Sequence, residues 1–183
     1  MNDYDVFKDG WESENTVCGW GSQMEHTEHI REILPDMIKA HGFKTINDAG
    51  CGDFWWMRNV DLSAVDYMGY DIYDRRNGFD FPFTKLDIVK EDMRPCDLII
   101  CRDVFIHLPN NMILEALERF KRVGKYLLST SYYVPDHGNY LRPETPQLKH
   151  SKLDLSQQPF GLGVAFGSFS EDSERKCCKL WKL

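Results

Sequence analysis

Apolar residues recur along this chain with two different periods, and the switches between them mark out its elements. In "HTEHIREILPDMIKAHG", Ile30, Ile33, Leu34, Met37 and Ile38 fall on one face of a helix. Thr27 is placed to cap its main part, Gly42 to stop it, and Pro35 to bend or divide it. "NNMILEALERFKRVG" repeats the pattern with Ile113, Leu114, Leu117 and Phe120 inward, starting just after Pro109 and ending at Gly124. Shorter runs read as strands: "FKTIND" ending at Asp48, "VDYMGYDIY" ending near Asp71, "FTKLDI" ending near Asp87, and "KYLLSTSYY" after the second helix. "CDLIICRD" is continuously apolar from Leu98 to Cys101, which predicts a strand covered on both faces.

Strands and helices alternate in this way through residue 133, although two of the crossovers are short. Such alternation predicts an α/β fold, a parallel sheet with helices on its faces. "GLGVAFGSFS" and "KCCKLWKL", joined by "EDSER", would add two last strands. Residues 1–22 read as irregular. Residues 134–160 are long for a plain connector and form a candidate substrate loop or lid. With no internal repeat, residues 1–183 read as one domain.

Composition narrows the setting. The 183 residues suffice for a substantial core, and 42% hydrophobic with 13% aromatic residues is a globular composition. No run approaches the roughly 20 apolar residues of a membrane span. The acidic, polar start "MNDYDVFKDGWESEN" is neither a signal nor a transit peptide, so a cytoplasmic setting is the default expectation. The formal charge of −7 argues against nucleic acid, whose partners normally carry a basic face. Basic residues group only at Arg119, Lys121, Arg122 and Lys125, and at Arg175, Lys176 and Lys179; helix solvation accounts for the first group. The six cysteines form no C-x-x-C pair, so reduced thiols and no structural metal are expected.

The chemistry centres on "TINDAGCGDFWWM". In an open parallel sheet, ligands bind at the carboxyl ends of the strands. Gly50 and Gly52 lie just past the first strand, where glycine lets the backbone turn sharply and approach a ligand; the competing reading is a bare strand-to-helix turn. A dinucleotide fingerprint would place a third glycine where Trp55 stands, and no P-loop is present. The turn therefore suits a ligand without phosphates. Asp71, at the end of the second strand, is placed to accept from both hydroxyls of a ribose, or to act as a turn residue. Asp87, at the end of the third, is placed to accept from an adenine amino group, or to cap the turn at Val89. Trp55 and Trp56 read as core packing at the start of a short helix, one of them walling the pocket.

"DAGCGDF", "YMGYDIY", "KLDI" and "CDLIICRDVFIHLPN" resemble the first four motifs of class I S-adenosylmethionine-dependent methyltransferases. From residue 19 to 183 the chain also resembles a narrower bacterial and phage-type group. That group opens with a Gly-Ser segment, here "GWGS", before an "IR…LP" helix; continues with "CGDF-x-WM"; and ends with a Pro-Phe element and a Lys-x-Leu-x-x-Trp-type tail, here Pro159–Phe160 and "KCCKLW". The resemblance implies a Rossmann-like fold with a seven-stranded, mostly parallel sheet, a final antiparallel strand and helices on both faces. It implies S-adenosylmethionine as cofactor and S-adenosylhomocysteine as product. Gly50, Cys51 and Gly52 would lie against the methionine part, Asp71 would bind the ribose, and Ile72 would pack on the adenine with Asp87 and Ile88 on its other side. The backbone of Cys101 and Arg102 would meet the methionine ammonium, and Asp48 would orient the glycine turn. Trp20 and Gly21, from their position, would fold over the cofactor within a covering segment, residues 1–22.

Methyl transfer is an in-line displacement that depends on aligning the acceptor and excluding water. The end of the fourth strand supplies the candidates for that step. His107 could act as a base or hydrogen-bond to backbone beside the cofactor. Asp103 could bind a substrate donor, orient His107 or cap a turn. Arg102 could hold a substrate anion or a carboxylate of the protein. Tyr132, Tyr133, His137, Asn139 and Tyr140 follow the fifth strand and are further pocket candidates. The expected reaction is methyl transfer to oxygen or nitrogen of a small molecule or glycan. The alternatives are a module that binds S-adenosylmethionine without catalysis, and a nucleic-acid methyltransferase. The chain lacks the D-P-P-Y-type tetrapeptide of base amino-group methylation, and Pro95–Cys96 precedes the fourth strand rather than following it.

Overall fold

A computed structural model describes residues 3–11, 13–76, 78–134, 138–171 and 176–183. Its centre is a seven-stranded sheet. In chain order the elements are α1 (Glu28–His41), β1 (Thr45–Ala49), β2 (Asp66–Asp71), β3 (Phe83–Lys85), β4 (Cys96–Cys101), α2 (Asn110–Val123), β5 (Gly124–Tyr132), β6 (Gly167–Ser170) and β7 (Lys176–Lys182). The spatial order is β3-β2-β1-β4-β5-β7-β6. β1 to β5 are mutually parallel, and β7 runs antiparallel between β5 and β6. The order reverses direction between β1 and β4, so the crevice at the switch point opens beyond the ends of those two strands.

The pleat sorts the core into two layers. Ile46, Leu98, Ile100, Leu128 and Leu180 face Ile30, Leu34 and Ile38 of α1. Ala49, Ile99, Leu127 and Trp181 face Ile113, Ala116, Leu117 and Phe120 of α2. Leu98 to Cys101 have no exposed surface, as the unbroken apolar run predicts. α1 ends where expected, with Gly42 left-handed at φ 67° and its N–H on the carbonyls of Ile38 and Lys39.

Several elements are shorter than the pattern predicts. Pro35 lies within one continuous α1 rather than dividing it. Thr27 precedes α1, but its hydroxyl donates backward to the Gln23 carbonyl instead of capping the helix. The helix expected after the glycine turn is a single 3-10 turn, Met57–Asn59. The third strand stops at Lys85, two residues before Asp87. Of "GLGVAFGSFS" only Gly167–Ser170 is strand; Gly161 and Gly163 have positive φ, and Val164 and Phe166 are exposed. Among the described residues, no helix is long and apolar enough to cross a membrane.

Leu34 has no exposed surface in the layer beneath α1. Leu34→Ala should cost about 2–5 kcal/mol of unfolding free energy, whereas exposed Glu32→Ala should change it by about 0.5 kcal/mol or less; urea denaturation of the two variants measures the contrast.

Candidate functional site

A cavity of about 490 Å³ opens beyond the carboxyl ends of β1, β2 and β4. The glycine turn forms its base. Gly50 and Cys51 both donate their N–H to the Tyr70 carbonyl, at 2.7 and 3.1 Å. Gly50 and Gly52 have φ of 81° and 60°, where a side chain is strained. Space forbids one as well: a Cβ on Gly50 would lie 2.3 Å from Val104 Cγ2, and one on Gly52 would lie 2.4 Å from Cys18 Sγ. The turn is thus closed from below by the segment after β4 and from above by the N-terminal segment.

Asp71 completes the turn. Its Oδ2 accepts the Gly52 N–H at 3.0 Å and its Oδ1 accepts the Tyr73 N–H at 3.1 Å. Burial pushes its pKa upward, against the pull of those two amides and of Arg75. Asp87 accepts the Tyr4 hydroxyl at 2.9 Å and also the Val89 N–H, the turn-capping bond that the sequence offered as an alternative. Asp48 borders the cavity but does not touch the glycine turn through a hydrogen bond; its Oδ2 accepts the Tyr67 hydroxyl at 2.6 Å. The direct hydrogen bonds on the turn go to Tyr70 and Asp71.

The N-terminal segment closes one side. Asp53 accepts from the Thr16 hydroxyl at 2.7 Å and the Val17 N–H at 3.1 Å, and its own N–H donates to Cys18 Sγ. Tyr73 donates its hydroxyl to the Tyr4 carbonyl, and Arg75 donates to that of Phe7. Tyr4, Phe7 and Trp11 thereby border the cavity alongside Trp20 and Gly21. The sequence reading had no place for those three rings. Their only signal was aromatic residues in an otherwise polar stretch.

Beyond β4 the side chains are largely committed to one another. Arg102 Nε donates to Glu171 Oε1 at 2.6 Å, its Nη1 lies 3.1 Å from Asp103, and its Nη2 donates to the His26 carbonyl. Arg102 therefore binds carboxylates of the protein and is not available to a substrate anion. Lys176 reaches Asp103 Oδ2 at 2.7 Å and Glu171 Oε2 at 3.3 Å. Burial opposes ionisation of Asp103, but Arg102 and Lys176 outweigh it and hold the carboxyl well below the usual range. Asp103 adopts φ 57°, an uncommon left-handed conformation for a non-glycine residue, with Thr130 bonded to its N–H and to Oδ1. Cys101 does not border the cavity. It is fully buried, and its carbonyl accepts the Ser129 hydroxyl at 2.7 Å.

His107 packs 5.0 Å from the Trp11 ring and shares a hydrogen bond of 3.1 Å between Nδ1 and the Gln147 carbonyl. Its pKa is lowered to about 4, chiefly by burial. The ring is therefore neutral near pH 7, with Nδ1–H as the donor to that carbonyl. Trp56 is both buried core and cavity wall, whereas Trp55 lies outside with Arg58 3.7 Å above its ring.

Residues 138–160 are anchored firmly. Arg142 donates to the carbonyls of Phe105, Leu108, Ser151 and Lys152, and buried Asn139 bonds the backbone at Asp154 and Gln158. Among the described residues of this segment, Leu148 and His150 border the cavity, and Trp11 donates its indole N–H to the Leu148 carbonyl. Of the candidates expected after the fifth strand, Tyr132 is the last residue of β5 and borders the cavity, Asn139 is structural, and Tyr133 and Tyr140 are exposed. His137 lies outside the described residues.

No protein-family model matches the sequence, and no curated protein matches it. Solved structures match the fold. The N-methyltransferase NodS from Bradyrhizobium japonicum WM9, solved with S-adenosyl-L-homocysteine, has a TM-score of 0.67 and 10% identity over 100% of this chain and 98% of that one. Magnesium protoporphyrin IX methyltransferase from Synechocystis PCC 6803, solved with S-adenosylmethionine, has a TM-score of 0.62 and 13% identity over 97% of this chain and 86% of that one. An S-adenosylmethionine-dependent methyltransferase from Clostridium acetobutylicum has a TM-score of 0.62 and 10% identity over 84% and 90%. The strand order and the reversed β7 are those of this fold, the Rossmann-like class I methyltransferase fold.

Asp48 has its pKa raised to about 7 from 3.8, mainly by burial. A raised carboxyl pKa means that the fold disfavours the charged form, so stability present below pH 4 is lost as the pH climbs towards 7. Asp48→Asn removes that loss and keeps an acceptor for Tyr67. The variant should therefore gain on the natural protein between pH 5 and pH 8, by up to about 3 kcal/mol. Urea midpoints across that range test this, and a difference flat with pH would refute it.

Proposed function

We propose that this chain is an S-adenosylmethionine-dependent methyltransferase acting on oxygen or nitrogen of a small molecule or glycan. The observation that carries the reading is Asp71: a carboxylate at the cavity, tied to the glycine turn through Gly52, where no phosphate-binding feature is present. Each of its oxygens accepts one backbone N–H and keeps a second lone pair for a ribose hydroxyl. Gly50, Cys51 and Gly52 would pass under the methionine part, with Ile72, Asp87 and Ile88 about the adenine. Residues 1–22 would cover the cofactor and residues 134–160 would flank the acceptor.

When bound, S-adenosylmethionine supplies an electrophilic methyl group and leaves as S-adenosylhomocysteine. The chain's own part is to hold the acceptor in line and keep water out. Phe7, Trp11, Trp56 and Leu148 line the cavity with apolar surface suited to that task. A histidine whose pKa is lowered to about 4 is a weak base. This favours acceptors with a free nitrogen lone pair or an acidic hydroxyl, and gives His107 a packing role. The inward, acid-paired positions of Lys176 and Lys179 remove these two lysines of the second basic group from the surface, which argues against nucleic acid. Six free cysteines accord with a cytoplasmic setting.

Calorimetric titration tests the reading. The natural protein should bind S-adenosylhomocysteine and not NAD. Asp71→Asn should weaken S-adenosylhomocysteine by about 10- to 100-fold, the worth of a charge-assisted hydrogen bond, with the thermal midpoint confirming a folded variant. Unchanged affinity in the folded variant, or tight binding of NAD alone, would refute it.

A further inference from the structure

Among the described residues that border the cavity, three are exposed: Trp20, Leu148 and His150. They mark where the cavity meets solvent. We infer that the acceptor enters between them and is an aromatic amine or phenol, its ring lying against the indole of Trp20. The inference rests on the methyltransferase reading above and narrows the acceptor of that same site.

Trp20 is 65% exposed, yet it is held in place. It opens a 3-10 turn, Trp20–Ser22, whose carbonyl at Trp20 accepts the Gln23 N–H at 3.1 Å. The His26 ring backs the indole, with centroids 3.3 Å apart, and the His26 carbonyl accepts from Arg102. An indole backed on one side and bare on the other is a stacking surface for a ring, and it loses little side-chain freedom when it binds one. Its place is that of the acceptor rather than the adenine. The adenine would lie among Ile72, Asp87 and Ile88, where the N-terminal segment contributes Tyr4, bonded to Asp87. Trp20 precedes Gly21, which abuts the end of β4: a Cβ there would lie 2.8 Å from Asp103 Oδ2.

The polar groups at this end choose between an aromatic ring and a sugar. A sugar carries hydroxyls around its ring, and each one that loses water needs a replacement partner. The neighbouring side chains are already engaged. Arg102 and Asp103 bond within the protein, and Lys176 reaches Asp103 and Glu171. Ser22 donates to the Cys18 carbonyl at 3.5 Å, and His107 is bonded to the Gln147 carbonyl. The three rim residues offer an imidazole, an indole N–H and a leucine. That suits a flat apolar body with few polar atoms. An aromatic amine has a free lone pair at neutral pH and a phenol has an acidic hydroxyl, so neither asks for a strong base, in keeping with His107. The acceptor lone pair forms the bond to the methyl carbon as the carbon–sulfur bond breaks. That bond's electron pair stays on sulfur, and the acceptor's proton leaves to water at the mouth.

The experiment loads the protein with S-adenosylhomocysteine and titrates it by calorimetry with two panels. One holds aromatic amines and phenols, from aniline and phenol to aminoquinolines and hydroxyquinolines; the other holds free sugars and amino sugars. Aromatic ligands should bind and sugars should not, and the aromatic binders should take up labelled methyl from S-adenosylmethionine. Trp20→Ala should lose about 10-fold in affinity for the aromatic ligand, with S-adenosylhomocysteine affinity and the thermal midpoint as in the natural protein. Trp20→Phe should restore most of the loss. A natural protein that binds S-adenosylhomocysteine but prefers sugars, or binds neither panel, overturns this inference and leaves the cofactor reading standing. So does a Trp20→Ala variant that binds the aromatic ligand as the natural protein does, or that weakens both kinds of ligand alike. Failure to bind S-adenosylhomocysteine at all overturns the methyltransferase reading, and this inference with it.

Discussion

The arrangement depends on one carbonyl. Tyr70, the penultimate residue of β2, accepts the N–H groups of both Gly50 and Cys51. A carbonyl that takes two successive amides pulls the chain leaving β1 sideways over the end of β2, which is possible only with a left-handed residue at the bend. Gly50 supplies it. The next amide, from Gly52, then reaches Asp71 in the residue after Tyr70. A short stretch of backbone therefore fixes the turn, the orientation of the acid and the floor of the cavity together.

What lies above that floor is held by buried charge rather than by helices. Class I folds need their crossovers filled, yet here the β1–β2 connection contains only a 3-10 turn, and β2–β3 and β3–β4 contain no helix among the described residues. The N-terminal segment takes over part of the covering through Asp53, Asp87 and Cys18. The charge cluster does the same on the other flank, joining β4 to β7 and, through the His26 carbonyl, to the turn before α1. Buried ion pairs are costly to assemble but fix geometry once assembled. That suits a site proposed to work by alignment.

The sheet was largely legible because its strands obey burial. A short unbroken apolar run between turn signals points to a strand covered on both sides, and the run at β4 is one. The glycine turn was legible for a similar reason, since two glycines at a strand end have few uses. The cluster was not legible. Arg102 and Asp103 meet Glu171 and Lys176 from about seventy residues away, and only the reversed β7 brings them together. In the sequence Lys176 and Lys179 are only members of a small basic group, with no partner assigned. Both sit inside, with acids across the sheet edge as partners. The expected strand before residue 167 failed for the converse reason: Val164 and Phe166 are apolar but exposed, and the left-handed glycines before them cannot extend a ladder.

These two kinds of residue decide what the cavity can hold. Arg102 and Lys176 are matched by acids of the protein and Arg75 is engaged by the N-terminal segment, so no described cation stands ready for a phosphate. The carboxylates are less evenly matched. Asp71 accepts two amides, with Arg75 near but no ion pair within 4 Å, and Asp48 accepts a tyrosine hydroxyl. Burial raises the pKa of both, the mark of carboxylates in need of donors or positive charge. A ribose brings hydroxyl donors to the first, and a sulfonium brings positive charge to the same enclosed space. The balance of charges among the described residues of the cavity thus weighs against a phosphorylated nucleotide and accords with the cationic nucleoside proposed above.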